Sequence, residues 1–252
     1  MAVDRATLIS FLDDLLETTA FSDYPTAWNG LQAEPPAQIS RLAAAVDASL
    51  ATIEKAQQLQ VDLLVVHHGL FWDADPRLTG PRYRRYSALL RRPLGVYSSH
   101  LPLDAHPEIG NSAVLARAIG LQARGGFAHS RGRAIGLWGE IESSRDRLQD
   151  QLAEFAGAAV RLLPGGPPHV RKVGIVTGAG GSFIREAAEL GLDTLVTGEG
   201  PHHTFVDAHE YGVNVFYAGH YATETGGVRA LCEAVKARFG IPWEFIDVPS
   251  GM

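Results

Sequence analysis

The chain has 252 residues, 46% hydrophobic and 20% charged, which supplies a buried core and excludes a disordered or fibrous protein. A net charge of -6 excludes the overall basic footprint of a general nucleic-acid binder and leaves only a local patch for such a role. Cys232 is the single cysteine, which excludes an intrachain disulfide and all-cysteine zinc sites and favours a reducing compartment.

The first twenty residues read as an acidic amphipathic helix, capped by Asp4, with Leu8, Phe11, Leu12, Leu15 and Leu16 on one face. They lack the charged head and apolar run of a leader, and no long uncharged apolar segment follows, so a cytoplasmic protein without a membrane partner is expected. After a loop carrying Pro25, Pro35 and Pro36 come a strand at Leu42–Val46, a helix at Thr52–Leu59 and a strand at Leu63–Val66. A helix near Tyr83–Arg92, a strand at Leu94–Tyr97 and a helix from Asn111 to Ile119, stopped by Gly120, continue the alternation. Residues 134–163 read as strand, helix and strand. The last third repeats the rhythm: strand Val173–Val176, helix Phe183–Leu190, strand Thr194–Thr197, helix His203–Tyr211, strand Val213–Tyr217, then a long helix to Phe239. The expected class is α/β: two related lobes with mostly parallel sheets flanked by helices, divided near 126/127 into residues 1–126 and 127–252.

An internal echo supports a duplication. Leu42 to Gly69 lies ungapped over Val173 to Gly200, matching Ala48 with Ala179, Ile53 with Ile184, Ala56 with Ala187, Asp62 with Asp193 and Leu64 with Leu195. Each copy is followed by a strand ending in a histidine with a carboxylate four residues on: His100 with Asp104, and His220 with Glu224.

These positions carry the chemistry. In open parallel sheets, ligands gather beyond the carboxyl ends of strands. His67-His68 is expected directly after a strand, as is the segment His100 to Asp104; His220 opens a helix that puts Glu224 on the same face. Alone, His67-His68 reads equally well as loop hydrogen bonding, and an isolated pair such as His220 with Glu224 is more often a surface hydrogen bond or ion pair. Together they make divalent metal the leading reading, and five donors including two carboxylates exceed one tetrahedral site, pointing to a dinuclear centre.

Val65-Val66-His67-His68-Gly69, His100 to Asp104 with Gly110-Asn111, Val173 to Gly181, Thr197-Gly198-Glu199 with His202-His203, and Gly219 to Glu224 together resemble the Nif-three-like family of dinuclear-metal hexameric proteins. Its members carry the name GTP cyclohydrolase I type 2 homologue. The resemblance spans nearly the whole chain in family order. It implies that His67, His68, Asp104, His220 and Glu224 are the metal ligands, with Asp104 and Glu224 the candidates for bridging and His100 beside them. It further implies a site between the two lobes, completed by the C-terminal helix, and a toroidal homohexamer. The segment usually reading His-Thr-Asn-x-Asp is here His100-Leu101-Pro102-Leu103-Asp104, so hydrogen bonds around the carboxylate are expected to differ. The chain is also of the short form, without the extra domain of longer relatives.

Other motifs carry weaker signals. Thr177 to Ser182 reads as a tight structural turn rather than a phosphate loop, since it lacks a P-loop lysine and the last glycine of a dinucleotide fingerprint. Arg77, Arg82, Arg84, Arg85, Arg91 and Arg92 form a basic segment, either a solvated face or subunit contact, or a steering patch for a phosphorylated or polynucleotide ligand. His202 and His203, with Glu199, are proton-transfer or accessory candidates, with helix capping as the alternative. Trp28 is expected in a turn with its ring buried. The expected activity is a hydrolase in which two divalent ions (iron, manganese, zinc, cobalt or nickel) generate a bridging hydroxide for attack on a nucleotide or phosphorylated heterocycle, with His100, Glu199, His202 and His203 as catalytic candidates. The rival is a non-enzymatic metal-handling or nucleic-acid-binding ring.

Overall fold

Helix α1 (Arg5–Leu16) starts where the Asp4 carboxylate accepts the backbone N–H of Thr7, and buries Leu8, Leu12 and Leu16, as the helical spacing predicts. The structure, a computed structural model, describes residues 2–72 and 77–252. Strand β1 (Val3–Asp4) precedes α1; β2 (Gly30–Ala33), β3 (Gln38–Ile39), β4 (Leu42–Asp47), α2 (Leu50–Gln58) and β5 (Leu63–His68) follow it. Next come α3 (Gly80–Leu90), β6 (Gly95–Ser98), α4 (Leu101–Asp104), α5 (Asn111–Ala118), β7 (Gln122–Ser130), β8 (Arg133–Ser144), α6 (Arg145–Ala156) and β9 (Arg161–Pro164). The chain ends with β10 (His169–Ile175), α7 (Ile184–Glu189), β11 (Thr194–Thr197), α8 (Thr204–Glu210), β12 (Asn214–Tyr217), α9 (His220–Phe239) and β13 (Trp243–Phe245).

Two compact units result: Met1–Leu103 with Val228–Val248, and Asp104–Gly227 with Pro249–Met252. The division differs from the expected one near 126/127. Helix α5 belongs to the second unit because Leu115, Ala116 and Ile119 pack with Val173, Ile175, Val196 and Phe216. The segment after 227 belongs to the first because β13 adds in parallel to β4, pairing Trp243 with Leu42.

The first unit holds a five-stranded sheet in the order β13-β4-β5-β6-β2, parallel except for β2 at its edge. Ala43, Ala45, Leu64, Val66 and Val96 pack against Ile53 and Ala56 of α2 and Ala88 and Leu89 of α3. On β6, the buried Tyr97 hydroxyl donates to Asp13 at 2.8 Å and pairs with Thr18 at 3.0 Å, tying α1 to the sheet. The second unit holds the sheet β7-β8-β10-β11-β12-β9, in which only β10-β11-β12 is parallel; β7, β8 and β9 run antiparallel, so this sheet is mixed. Strand β7 has no clean alternation of apolar residues, and its register shifts between Ala123 and Gly125, which hides it from a period-two reading. Arg131 and Gly132, both at positive φ, close the β7–β8 hairpin.

The duplication extends to individual hydrogen bonds. β4 pairs with β5 as Leu42 with Leu63, and β10 with β11 as Val173 with Thr194, the same offset that aligns the sequences. Asp62 accepts the backbone N–H groups of Ser40 and Arg41; Asp193 accepts those of Arg171 and Lys172. Gln60 and Gly191, at matching positions, both adopt positive φ at the end of their helices. Among the described residues, no helix is long and apolar enough to cross a membrane.

Candidate metal centre

His67 and His68 are the last two residues of β5 rather than the start of a loop, because the β4 pairing runs on to Asp47 opposite His68. Adjacent strand residues face opposite ways. His67 is accordingly fully buried, while His68 is partly exposed. The His67 Nδ1 lies 2.9 Å from the Ser99 carbonyl, and the His68 Nδ1 lies 2.9 Å from the Asp47 carboxylate. His100 follows β6, with Nδ1 3.0 Å from the Asp23 carboxylate. The three rings converge, and one ring nitrogen from each lies within 4.8 Å of the others. Trp72 stands edge-on to His100 at 4.8 Å and to His68 at 5.5 Å.

In the second unit, Gly219 at φ +90 turns the chain from β12 into α9, whose first residue is His220. One helical turn later Glu224 is 3% exposed, and its Oε1 is 3.2 Å from His220 Nε2. The other ring nitrogen, Nδ1, is 2.7 Å from Glu199 Oε1, just beyond β11. The Glu224 hydrogen bond raises the His220 pKa to about 9 against the opposing effect of burial, with Glu199 adding to the rise. Between them, the two carboxylates make this a place that stabilises positive charge. Asp104 Oδ1 accepts from Asn111 Nδ2 at 2.8 Å and from the Thr177 hydroxyl at 3.3 Å. Thr177 and Asn111 thus stand as polar partners where the segment after His100 offers Leu and Pro.

A carbonyl oxygen can only accept, so the proton of His67 is on Nδ1; an ionised carboxylate imposes the same tautomer on His68 and His100. His67, His68 and His100 therefore have Nδ1 engaged by an acceptor, which makes Nε2 the nitrogen with a lone pair for a metal, whereas His220 has both ring nitrogens beside carboxylates, Nδ1 at Glu199 and Nε2 at Glu224. The first three are oriented as histidines that hold metals are, and the donor set of imidazoles and carboxylates fits a divalent transition metal. Asp23 was not foreseen from the sequence. Burial pushes its carboxyl up, but hydrogen bonds from His100, Asn29 and the Tyr24 backbone more than offset this and hold it below the usual carboxylate range.

The chain matches the Duf34/NIF3 (NGG1p interacting factor 3) family over residues 3–250. It belongs to that family. Proteins named GTP cyclohydrolase 1 type 2 homolog from Deinococcus radiodurans and Halobacterium salinarum are 42% and 43% identical to it. Each alignment covers 99% of this chain, with 95% and 100% of the respective relative. The crystal structure of TTHA1606 from Thermus thermophilus superposes with a TM-score of 0.91 at 39% identity, covering 99% of this chain and 100% of that one.

Other expected positions of this Duf34/NIF3 chain fall elsewhere. His202 and His203 are exposed before α8; the His203 ring is 3.9 Å from Asp207, and neither joins a donor cluster among the described residues. The glycine segment is a structural turn: the N–H groups of Gly178, Gly180 and Gly181 go to Thr223 Oγ1, Thr197 Oγ1 and the Glu199 carbonyl. Those amides are spent internally rather than turned to a phosphate. Trp28 is 65% exposed at φ +45, not buried; Gln32 donates to its carbonyl. Arg85 donates to the Leu70 carbonyl and lies over the Tyr86 ring with Arg82, whereas Arg84, Arg91 and Arg92 face outward.

Proposed function

We propose that this protein is a divalent-metal-dependent hydrolase acting on a nucleotide or another phosphorylated heterocycle. The observation that carries the metal part is the shared tautomer of His67, His68 and His100, each with Nδ1 held by an oxygen acceptor, which leaves the lone pair on Nε2. The hydrolytic part is supported by the relatives' name, which describes those proteins. By resemblance, His67 and His68 of the first unit and Asp104, His220 and Glu224 of the second would hold two ions of iron, manganese, zinc, cobalt or nickel. Bound there, such ions would make water more acidic and stabilise charge developing on the substrate.

Around them, the chain's own groups have distinct tasks. Glu199 keeps the His220 ring in one orientation, and Asn111 with Thr177 fixes the Asp104 carboxylate. His100 Nε2 is the nitrogen that would take up or release a proton. His202 and His203 would act, if at all, from the solvent side. The homohexameric ring belongs to the same reading by resemblance, and a cytoplasmic location accords with a single, buried cysteine.

Elemental analysis of untagged protein purified without added metal is the test. Wild type is expected to carry about two ions per chain, and His68→Ala and Glu224→Ala each to carry fewer. Near-zero metal that anaerobic reconstitution cannot restore would refute the reading.

A second reading, a ring that binds nucleic acid, is favoured by one surface. Residues 77–92 contain six arginines and no acid, and Tyr83, 60% exposed, lies beside the outward Arg84. If it holds, binding to a single-stranded oligonucleotide weakens steeply with salt, and replacing Arg84, Arg91 and Arg92 by alanine reduces the slope of log K against log salt by about 0.7 per lost contact. Metal-dependent turnover of a small molecule with no such binding decides for the enzyme.

A further inference from the structure

The loop before β2 carries two exposed aromatic rings that the metal reading does not use, and one of them is held in a strained conformation. Trp28 combines 65% exposure with φ +45, a left-handed backbone that a bulky residue keeps only where its surroundings impose it. Gln32 Nε2 donates to the Trp28 carbonyl at 2.7 Å and to the Ala27 carbonyl at 3.3 Å, while Gln32 Oε1 accepts the Leu70 N–H at 2.6 Å. A Cβ on Gly69 would overlap that amide, so glycine directly after His68 lets the loop lie against the end of β5. Next to Trp28, Asn29 Oδ1 accepts the His100 N–H at 2.7 Å. The loop is thus fastened to the segments that follow both β5 and β6, and its aromatic side chain is left in solvent.

Tyr24 starts the same turn, its carbonyl accepting the Ala27 N–H at 2.9 Å. Its ring is 48% exposed and lies 5.9 Å from His100 and 6.4 Å from Trp72, tilted by 46° and 52°. Trp72 stands edge-on to His68 and His100, and its Nε1, shut off from water, has no acceptor among the described residues. An indole N–H can only donate, and a buried donor without an acceptor is costly. Exposed aromatic rings gathered beside a polar site offer a flat ligand its faces, and the unmet N–H offers it an orienting contact. We propose that Tyr24, Trp28 and Trp72 form a recognition subsite for a planar nitrogen heterocycle of the nucleobase class, held by stacking and offering a ring nitrogen or carbonyl oxygen to Trp72 Nε1. Entry between Tyr24 and Trp72 requires Tyr24 to turn outward, which its half-exposed position allows and which uncovers the indole edge. The inference rests on the reading above for the phosphorylated heterocycle, and it adds where the ring is held: beside His100, whose Nε2 carries the lone pair for proton transfer.

The probes are guanosine 5′-monophosphate and ribose 5-phosphate, which share the sugar phosphate and differ by the base, titrated into full-length protein and read by calorimetry and by quenching of tryptophan fluorescence. Stacking tolerates any base, so one nucleotide serves for the class. Wild type is expected to bind the nucleotide at least about tenfold more tightly than the sugar phosphate. Trp28→Ala and Tyr24→Ala are each expected to weaken the nucleotide roughly 5–100-fold, with ribose 5-phosphate binding and metal content unchanged, and Trp28→Phe, which keeps a stacking face, restores most of the affinity. Trp72→Phe keeps the wall and removes the N–H; it is expected to weaken the nucleotide while leaving the melting temperature unchanged or raised, since it deletes a buried donor that no protein group meets. The inference is overturned if wild type binds the two probes equally or binds neither, or if the folded variants all keep wild-type affinity for the nucleotide. Base-dependent binding by protein that takes up no metal, as purified or after reconstitution, refutes the hydrolase reading instead and leaves the subsite standing.

Discussion

Gly178→Ala is expected to remove metal as effectively as the loss of Glu224 itself. Gly178 sits at φ +65, and a Cβ there would overlap the Glu224 carboxylate and come within 3.3 Å of His220 Nε2. Glu224 is 3% exposed and cannot swing aside into solvent. The left-handed backbone adds a cost of about 1–2 kcal/mol for any L residue. The loop cannot relax outward easily, because the Gly178 N–H is held by Thr223 and its carbonyl accepts from both Gly198 and Glu199. The expected result is a folded protein with a lowered melting temperature and metal content matching that of Glu224→Ala. Unchanged metal content in the folded variant would mean that Glu224 does not ligate from this position.

Asn111→Asp is the second large effect. Asn111 is fully buried and uses both ends of its amide: Nδ2 donates to Asp104 Oδ1, and Oδ1 accepts the Gly227 N–H at 2.7 Å. It therefore joins a candidate ligand to α9. Aspartate has nearly the same shape but brings a second carboxylate to within hydrogen-bonding distance of Asp104, and two such groups cannot both ionise. The variant is expected to lose about 1–3 kcal/mol of stability from the broken buried pairing. Because protonation relieves the repulsion, the loss should be largest at neutral pH and shrink on acidification. Chemical denaturation at pH 5 and pH 7.5 reads this directly, and a deficit independent of pH would point to packing instead. Asn111→Ala, which loses the hydrogen bonds without adding charge, separates the two contributions.

Both substitutions show how differently the parts of the site were legible. The donors announced themselves: an imidazole pair on an apolar strand and two His-carboxylate pairs at four-residue spacing stand out where the neighbouring sequence is hydrophobic. Asp23 and Asp47 did not, and Asn111 and Thr177, although inside the motifs that carry the resemblance, gave no sign of the carboxylate they hold. Their role is to meet a particular ring nitrogen or carboxylate across 7 to 77 positions of sequence, and no local spacing marks such a meeting. Gly178 was read as part of a turn, correctly, but the reason that only glycine fits is the Glu224 carboxylate over it.

The same line divides the fold. Periodicity, helix caps and the internal echo are properties of short windows, and from these the sequence determined the α/β class, the helices other than the one-turn α4, the inner strands, and the doubled unit whose strand ends carry the candidate donors. Strands β2, β7 and β13 and the assignment of 104–126 and 228–248 to their units depend on which distant segment offers unpaired backbone groups or an apolar face. That is a property of the assembled chain, so the tertiary structure alone decided it, together with the tautomer that each histidine presents. An imidazole's spacing along the chain states that it is available; the acceptor behind its Nδ1 decides which nitrogen faces a ligand.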